Sequence, residues 1–293
     1  MPLLIGLGEL LWDLLPDGPR LGGAPANFAA SAGSLGASAA VISRVGNDAN
    51  GNKARDLLAK LGLNIEHIQV DEMLPTGIVS VSFVDFGQPQ YTIQQNVAWD
   101  SIEAPPDALR LAQSADAICF GSLVQRSEKS RQSIHQILQS SSQQTLRIFD
   151  VNLRQHYFSR EILEKSLQVA NILKVSDEEL PVFAETLSLT GPTTSIIDQL
   201  AEAYQLNLIA LTRGGHGSLL WRNGQVSDHP GVATKVADTI GAGDSFTAAM
   251  TLGLLAGWDL DLINQCANRV AAFVCSQAGA MPIFPAELKQ LFE

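Results

Sequence analysis

Cysteine is scarce. The 293 residues hold three, Cys119, Cys266 and Cys275, too few and too scattered for a disulfide framework, and no C-x-x-C pair suggests a zinc site. The five histidines, at 67, 135, 156, 216 and 229, are isolated and lack ligand spacing, so they read as surface or core residues. No Gly-Lys dipeptide occurs, which excludes the G-x-x-x-x-G-K-[ST] phosphate loop, and neither a G-x-S-x-G elbow nor an H-E-x-x-H motif is present. Gly6-Leu7-Gly8-Glu9-Leu10-Leu11 opens like a dinucleotide fingerprint but has Leu where the third Gly belongs. Positive charge is also short. Nineteen basic against 30 acidic side chains give a net charge of −11, and no Lys/Arg run exists, which argues against a nucleic-acid or anionic-membrane partner. An anionic substrate must therefore be held by local donors against the overall field.

Long apolar runs are missing too. No stretch reaches the roughly 18 residues of a membrane span. The N-terminal segment lacks a basic start and is broken by Glu9 and Asp13, so it reads as a strand rather than a signal peptide, and a cytoplasmic location is expected. What is present is a composition 46% apolar and 17% charged, well outside the disordered range and sufficient for one large α/β domain or two ordinary ones.

Short apolar runs alternate with helical patterns. Residues 3–7, 40–45, 117–120, 146–151, 172–175 and 208–212 read as buried strands bounded by Gly, Asp, Asn or Ser. Residues 25–35, 52–61, 131–138 and 194–204 read as helices, the first with Pro25 suited to its opening turn and Gly36 to its end. Such alternation predicts a parallel sheet with helices on both faces. Two regions break it. Residues 76–98 form a hairpin pattern around Phe86-Gly87-Gln88-Pro89, and with the apolar segment 10–15 they make either a small separate β-lid or an ordinary edge hairpin. Residues 218–236 contain Asn223-Gly224, the signal for a two-residue hairpin turn.

Three glycine clusters carry the chemistry. In Ala237-Asp238-Thr239-Ile240-Gly241-Ala242-Gly243-Asp244-Ser245 a strand-like segment runs into Gly-Ala-Gly and then a helical pattern. The glycines thus sit at a helix N-terminus, where free N–H groups and the helix dipole suit a phosphate or a developing oxyanion. Asp244 either favours the dipole or serves as a base beside an anion pocket, taking the proton of a hydroxyl that attacks phosphorus. Thr212-Arg213-Gly214-Gly215-His216-Gly217 follows an apolar strand, where α/β proteins bind ligands, or is simply a tight turn. Gly22-Gly23-Ala24-Pro25-Ala26-Asn27 lets a bound molecule touch main chain, with Asn27 offering donor and acceptor to a polyol, or it is a flexible turn beside a solvated Asn.

Together these clusters resemble the ribokinase-like carbohydrate kinases, the phosphofructokinase-B family. One signature runs from Gly22-Gly23 through Pro25 and Asn27 to Gly36 and Gly46, the other from Asp238 through Asp244 to Thr251, and the likeness spans nearly the whole chain. It implies a single domain over 1–293, a three-layer αβα sandwich with a mostly parallel central sheet, and a β-lid from about 10–20 and 74–100 that mediates a homodimer. It also implies transfer of phosphate from ATP·Mg²⁺ to a small sugar. By this resemblance Asp244 is the general base and Gly241, Ala242 and Gly243 the anion hole. Asp13, Gly22, Gly23, Asn27 and Arg154, the last within Asp150-Val151-Asn152-Leu153-Arg154, bind substrate. Thr212, Gly214, Gly217, Asn268 and Gly279 bind ATP. Glu179 acts on magnesium through water, although Ser176 replaces the family's Asn three residues earlier. Asp238 and Ile240 are candidate ligands for K⁺. The wording Gly8-Glu9-Leu10-Leu11-Trp12-Asp13 is nearest the fructokinase branch, so D-fructose is the expected acceptor. Ribose, 2-keto-3-deoxygluconate or a nucleoside are alternatives, as is a non-catalytic sugar- or nucleotide-binding module.

Overall fold

The computed structural model describes residues 1–15, 18–84 and 88–292. Among these, the apolar runs form a nine-stranded sheet from β1 (Leu3–Leu7), β4 (Ser38–Gly46), β5 (Ile68–Asp71), β8 (Ala117–Phe120), β9 (Leu146–Asp150), β10 (Ile172–Ser176), β11 (Leu208–Thr212), β12 (Ser218–Arg222) and β13 (Gln225–His229), in the order β13-β12-β11-β10-β9-β8-β1-β4-β5. Neighbours from β5 to β11 pair in parallel, and only β12 and β13 are antiparallel. The strands are continuously apolar because both faces are covered: in β8, Ile118 and Phe120 face one core while Ala117 and Cys119 face the other.

One helical layer comprises α3 (Pro106–Ser114), α4 (Glu128–Ser140), α5 (Arg160–Val169), α6 (Leu180–Leu187) and α7 (Thr193–Tyr204). The opposite layer holds α1 (Ala24–Ser34), α8 (Ala242–Leu255), α9 (Leu260–Cys275) and the short α10 (Ala286–Lys289), with α2 (Ala49–Lys60) beside β4. Helices α1 and α8 are buried along most of their length, which their Ala, Gly, Ser and Thr content permits. The three-layer sandwich expected from the sequence is thus present. Helices α3, α5, α6 and α9 were not anticipated by the sequence pattern, and α2 starts earlier than expected because the Asp48 carboxylate caps it, accepting from Gly51 N at 2.7 Å.

Asn223 and Gly224 both have positive φ (51° and 80°) between paired Arg222 and Gln225, the primed turn the Asn-Gly signal implies. A second, four-stranded sheet runs β3 (Gly18–Gly22), β2 (Leu11–Leu15), β6 (Gly77–Val84), β7 (Gln88–Ile93). Its β6–β7 hairpin is antiparallel as expected, while the expected turn falls partly outside the described residues. The large sheet reverses its strand order between β1 and β8, and such a switch point opens a crevice at the carboxyl ends of the strands. The small sheet lies beside that crevice.

Candidate active site

A cavity of about 570 Å³ lies between the small sheet and those strand ends, within the usual size range for a small-molecule site. Leu11, Asp13, Val79 and Ile93 line it from the small sheet, and Asn27, Lys174 and Asp244 from the sandwich.

Asp244 stands in the first turn of α8 and is only 9% exposed. Its Oδ2 accepts a hydrogen bond of 2.7 Å from Asn27 Nδ2, joining the first turns of α1 and α8 across 217 positions of sequence. Burial, with the nearby Asp150 carboxylate, pushes the Asp244 carboxyl up to about 6 despite that bond. It therefore ionises just below neutrality, as a general base should.

Gly241 precedes the helix in the left-handed conformation, φ 80°, and a Cβ there would come within 2.7 Å of Ala280. Two independent constraints thus require glycine. Of the turn's amides, Ala242 N reaches the Thr239 carbonyl at a long 3.3 Å. Thr239, Ile240, Gly241 and Gly243 line the cavity together with Asp244, so the positive end of α8 lies at its wall.

Lys174 was not expected here. It lies in β10 at 5% exposure, with Nζ 3.0 Å from Asp150 Oδ1 and 3.1 Å from where a Gly243 Cβ would stand. Thr247 Oγ1 donates to the other Asp150 oxygen at 3.1 Å. Burial alone would lower the ammonium's pKa, but Asp150 and Glu179 outweigh it and hold Lys174 charged. The sequence signal was a lysine within an apolar strand, which has no reason to be there without a buried partner.

Glu9 was likewise passed over. It follows β1 and is 4% exposed, and its Oε2 has no hydrogen-bond partner among the described residues. Burial raises its carboxyl to about 7, against hydrogen bonds from backbone amides and the charge of Arg154. Asn27 Oδ1 is similarly buried without a partner among the described residues. Two orphaned acceptors in one polar cavity suit a ligand rich in hydroxyl donors.

Asp13, on β2, lines the same cavity, and burial raises its carboxyl to about 6 in spite of Arg154. A side chain at Gly22 would strike its carboxylate, and one at Gly23 would strike the Glu9 carbonyl. Arg154 is exposed at the cavity rim, its guanidinium donating to Leu153 O at 3.0 Å and Asn152 Oδ1 at 3.2 Å. Asn152 and Gln155 flank it with positive φ, 42° and 51°, a local strain of the kind kept at functional loops.

A second groove of about 430 Å³ adjoins the cavity and shares Asn152, Arg154 and Lys174 with it. Glu179 lines it. Its Oε1 accepts from Leu153 N (2.8 Å) and its Oε2 from Ser176 N (3.0 Å), while Ser176 Oγ accepts from Glu179 N (3.2 Å). Ser176 therefore supports the start of α6 in reciprocal fashion. Each Glu179 oxygen keeps a lone pair, and Glu178 lines the same groove, so these carboxylates offer hard oxygen acceptors of the kind that hold magnesium through its waters, beside the cations Arg154 and Lys174.

Thr212 pairs with Ser176 in register at the end of β11, and its carbonyl accepts from Asp177 N at 2.8 Å. The turn Gly214–His216 follows, with Gly214 and Gly217 at φ 52° and 79°. The turn lines neither the cavity nor the second groove, and only Thr212, paired with the groove residue Ser176, adjoins the latter. Asn268 differs from expectation. Its side chain points into the interior, donating to Ser218 Oγ and the Asn264 carbonyl, both at 2.8 Å, and so pins α9 to β12. Its donors are thus spent inside the fold, and only Oδ1 is left for a ligand. Gly279 N donates to Asp238 Oδ2 at 3.1 Å, and Asp238 Oδ1 accepts from Ile240 N at 3.0 Å.

A carboxylate beside a glycine turn at one helix tip, opening on a cavity at the strand ends, is an arrangement suited to phosphoryl transfer to an alcohol. The chain belongs to the pfkB family of carbohydrate kinases, whose sequence model matches residues 19–287. It is 32% identical to a sugar kinase of Pyrococcus horikoshii, over 95% of this chain and 91% of that protein. It is 30% identical to a fructokinase of Klebsiella pneumoniae, over 95% of both chains. The crystal structure of the Pyrococcus horikoshii sugar kinase, described as uncharacterized, superposes with a TM-score of 0.83 over 99% of this chain and all of that one. A Xylella fastidiosa fructokinase with bound ATP superposes at 0.86 over 99% and 97%, at 21% identity, and so bears on the fold alone. The protein is a sugar kinase of this family.

Proposed function

We propose that the protein is a cytoplasmic fructokinase that transfers the γ-phosphate of ATP to the primary 6-hydroxyl of D-fructose, yielding fructose 6-phosphate and ADP. The observation that carries this reading is the buried Asp244–Asn27 hydrogen bond beside the Gly241 turn, in a cavity that also holds Asp13. Fructose is favoured by the relatives bearing that name, at 30% identity in Klebsiella pneumoniae and 29% in Escherichia coli.

Asp13, Asn27 and the backbone at Gly22 and Gly23 hold the sugar, with the orphaned oxygens of Glu9 and Asn27 accepting hydrogen bonds from its hydroxyls. Asp244 Oδ takes the proton of the attacking hydroxyl as its oxygen bonds to the γ-phosphorus and the bond from that phosphorus to the β–γ bridging oxygen breaks. In this reading negative charge on the transferring group meets the α8 tip with its residue 241–243 amides, and the Arg154 guanidinium of the same cavity supplies a fork. On the same reading Thr212, Gly214, Gly217 and Gly279 offer backbone amides and carbonyls to the nucleotide. Magnesium, when bound with ATP, would add charge neutralisation, and Glu179 in the second groove would hold it through its water. The small sheet covers the sugar and excludes water, sparing ATP from hydrolysis.

The test is coupled ADP release over D-fructose, D-ribose, 2-keto-3-deoxygluconate and a nucleoside. D-fructose should give the highest kcat/KM. A higher value for another acceptor would reassign the substrate within the family.

A further inference from the structure

Arg20 lies on β3 of the small sheet, yet its Nη1 meets Asp238 Oδ2 at 2.6 Å, the side chains being 31% and 15% exposed. Asp238 is not an ordinary surface partner. Its Oδ1 takes Ile240 N and its Oδ2 takes Gly279 N. One carboxylate thus ties together the turn leading into Gly241 and the turn at 279, next to Ala280, against which Gly241 packs. Two amides from the two turns converge on the Asp238 carboxylate, and its charge is matched by a guanidinium from another sheet.

This arrangement does not fit the monovalent cation expected at Asp238 and Ile240. Such an ion would draw on the same carboxylate, which already carries two amides and an ion pair, and would stand beside a fixed positive charge. We propose that Arg20 is a positioning residue that supplies Asp238 with a built-in cation. It fixes the turn before Gly241 and links the small sheet to it, so that phosphoryl transfer is independent of potassium. The inference rests on the reading of residues 241–243 as the phosphate cradle.

The experiment compares turnover in potassium chloride and in tetramethylammonium chloride at equal ionic strength, on whichever acceptor the panel selects, so a failure of fructose leaves it intact. The native enzyme should run equally in both. Arg20→Ala, and Arg20→Gln as a variant that keeps the aliphatic stem, should lose about tenfold or more in kcat in tetramethylammonium. Potassium or guanidinium should restore much of that loss, and the KM for the acceptor should change less than kcat. Strong potassium activation of the native enzyme would overturn the proposal. So would full activity of folded Arg20 variants in tetramethylammonium, or a loss that neither added cation repairs.

Discussion

The Asp244 carboxyl is held near 6 because its charge is buried beside Asp150. To accept a proton it must be ionised, so kcat/KM should rise with pH up to about 6 and level off above. An initial-rate pH profile checks this, and a profile flat from pH 5 to 8 would remove Asp244 as the base. Stability carries the opposite sign. A carboxyl whose folded pKa lies above its unfolded value of 3.8 favours the fold fully below the unfolded value, and that contribution disappears as pH rises through about 6. Above pH 7 the buried charge costs on the order of 3 kcal/mol. Asp244→Asn should therefore melt higher than the native protein at pH 8, and the difference should vanish near pH 4. Asp244 and the Gly241 turn were legible in the sequence because motif and function share one short segment. Lys174 and Glu9 were not, because their roles come from the partners that the fold brings to them, and an isolated charge in an apolar run does not name its neighbour.

Among the elements, the α8 tip depends on a backbone that only glycine adopts comfortably. Gly241→Ala would place a methyl against Ala280 at φ 80°, at a cost of about 1–3 kcal/mol, and the displaced amides should lower kcat more than they raise KM for ATP. Steady-state kinetics with a melting curve would separate the two effects. The small sheet has a latch of its own. Arg126 stacks 3.9 Å from the Trp99 ring centroid and 4.8 Å from that of Tyr157. It also pairs with both Asp100 oxygens, at 2.8 and 2.9 Å, and donates to the Gln94 carbonyl just after β7. Gln95 meanwhile donates to Tyr157 Oη at 2.9 Å. The hairpin is thereby tied to the loop that carries Arg154. Arg126→Met should raise the KM for sugar several-fold, and an unchanged KM would show the two elements to be independent. The hairpins announced themselves through alternation and Asn-Gly. Helix α8 is the converse case: buried on nearly every side, it shows almost no polar face, and the glycine start marked it more clearly than the pattern that follows.

At the scale of the whole molecule, a net charge of −11 repels the phosphates that the cavity must hold. Arg154 and Lys174 are the local cations set against that field, one exposed at the rim and one buried against Asp150. The small sheet turns Asp13, Val79 and Ile93 toward the cavity and leaves Leu14 38% exposed. We expect this outer face to pair two copies of the chain, which sedimentation at micromolar concentration tests: a mass twice 31.3 kDa supports it, and monomer alone counts against it. The layered α/β plan could be read directly from the alternation of strands and helices, whereas the cavity, assembled from both sheets, could not. Asp244 is the group proposed to receive the hydroxyl proton, and turnover of Asp244→Asn alongside its ATP affinity tests that most directly. A fall in kcat of about 10²-fold or more with ATP binding retained is the expected result, and near-native turnover would contradict it.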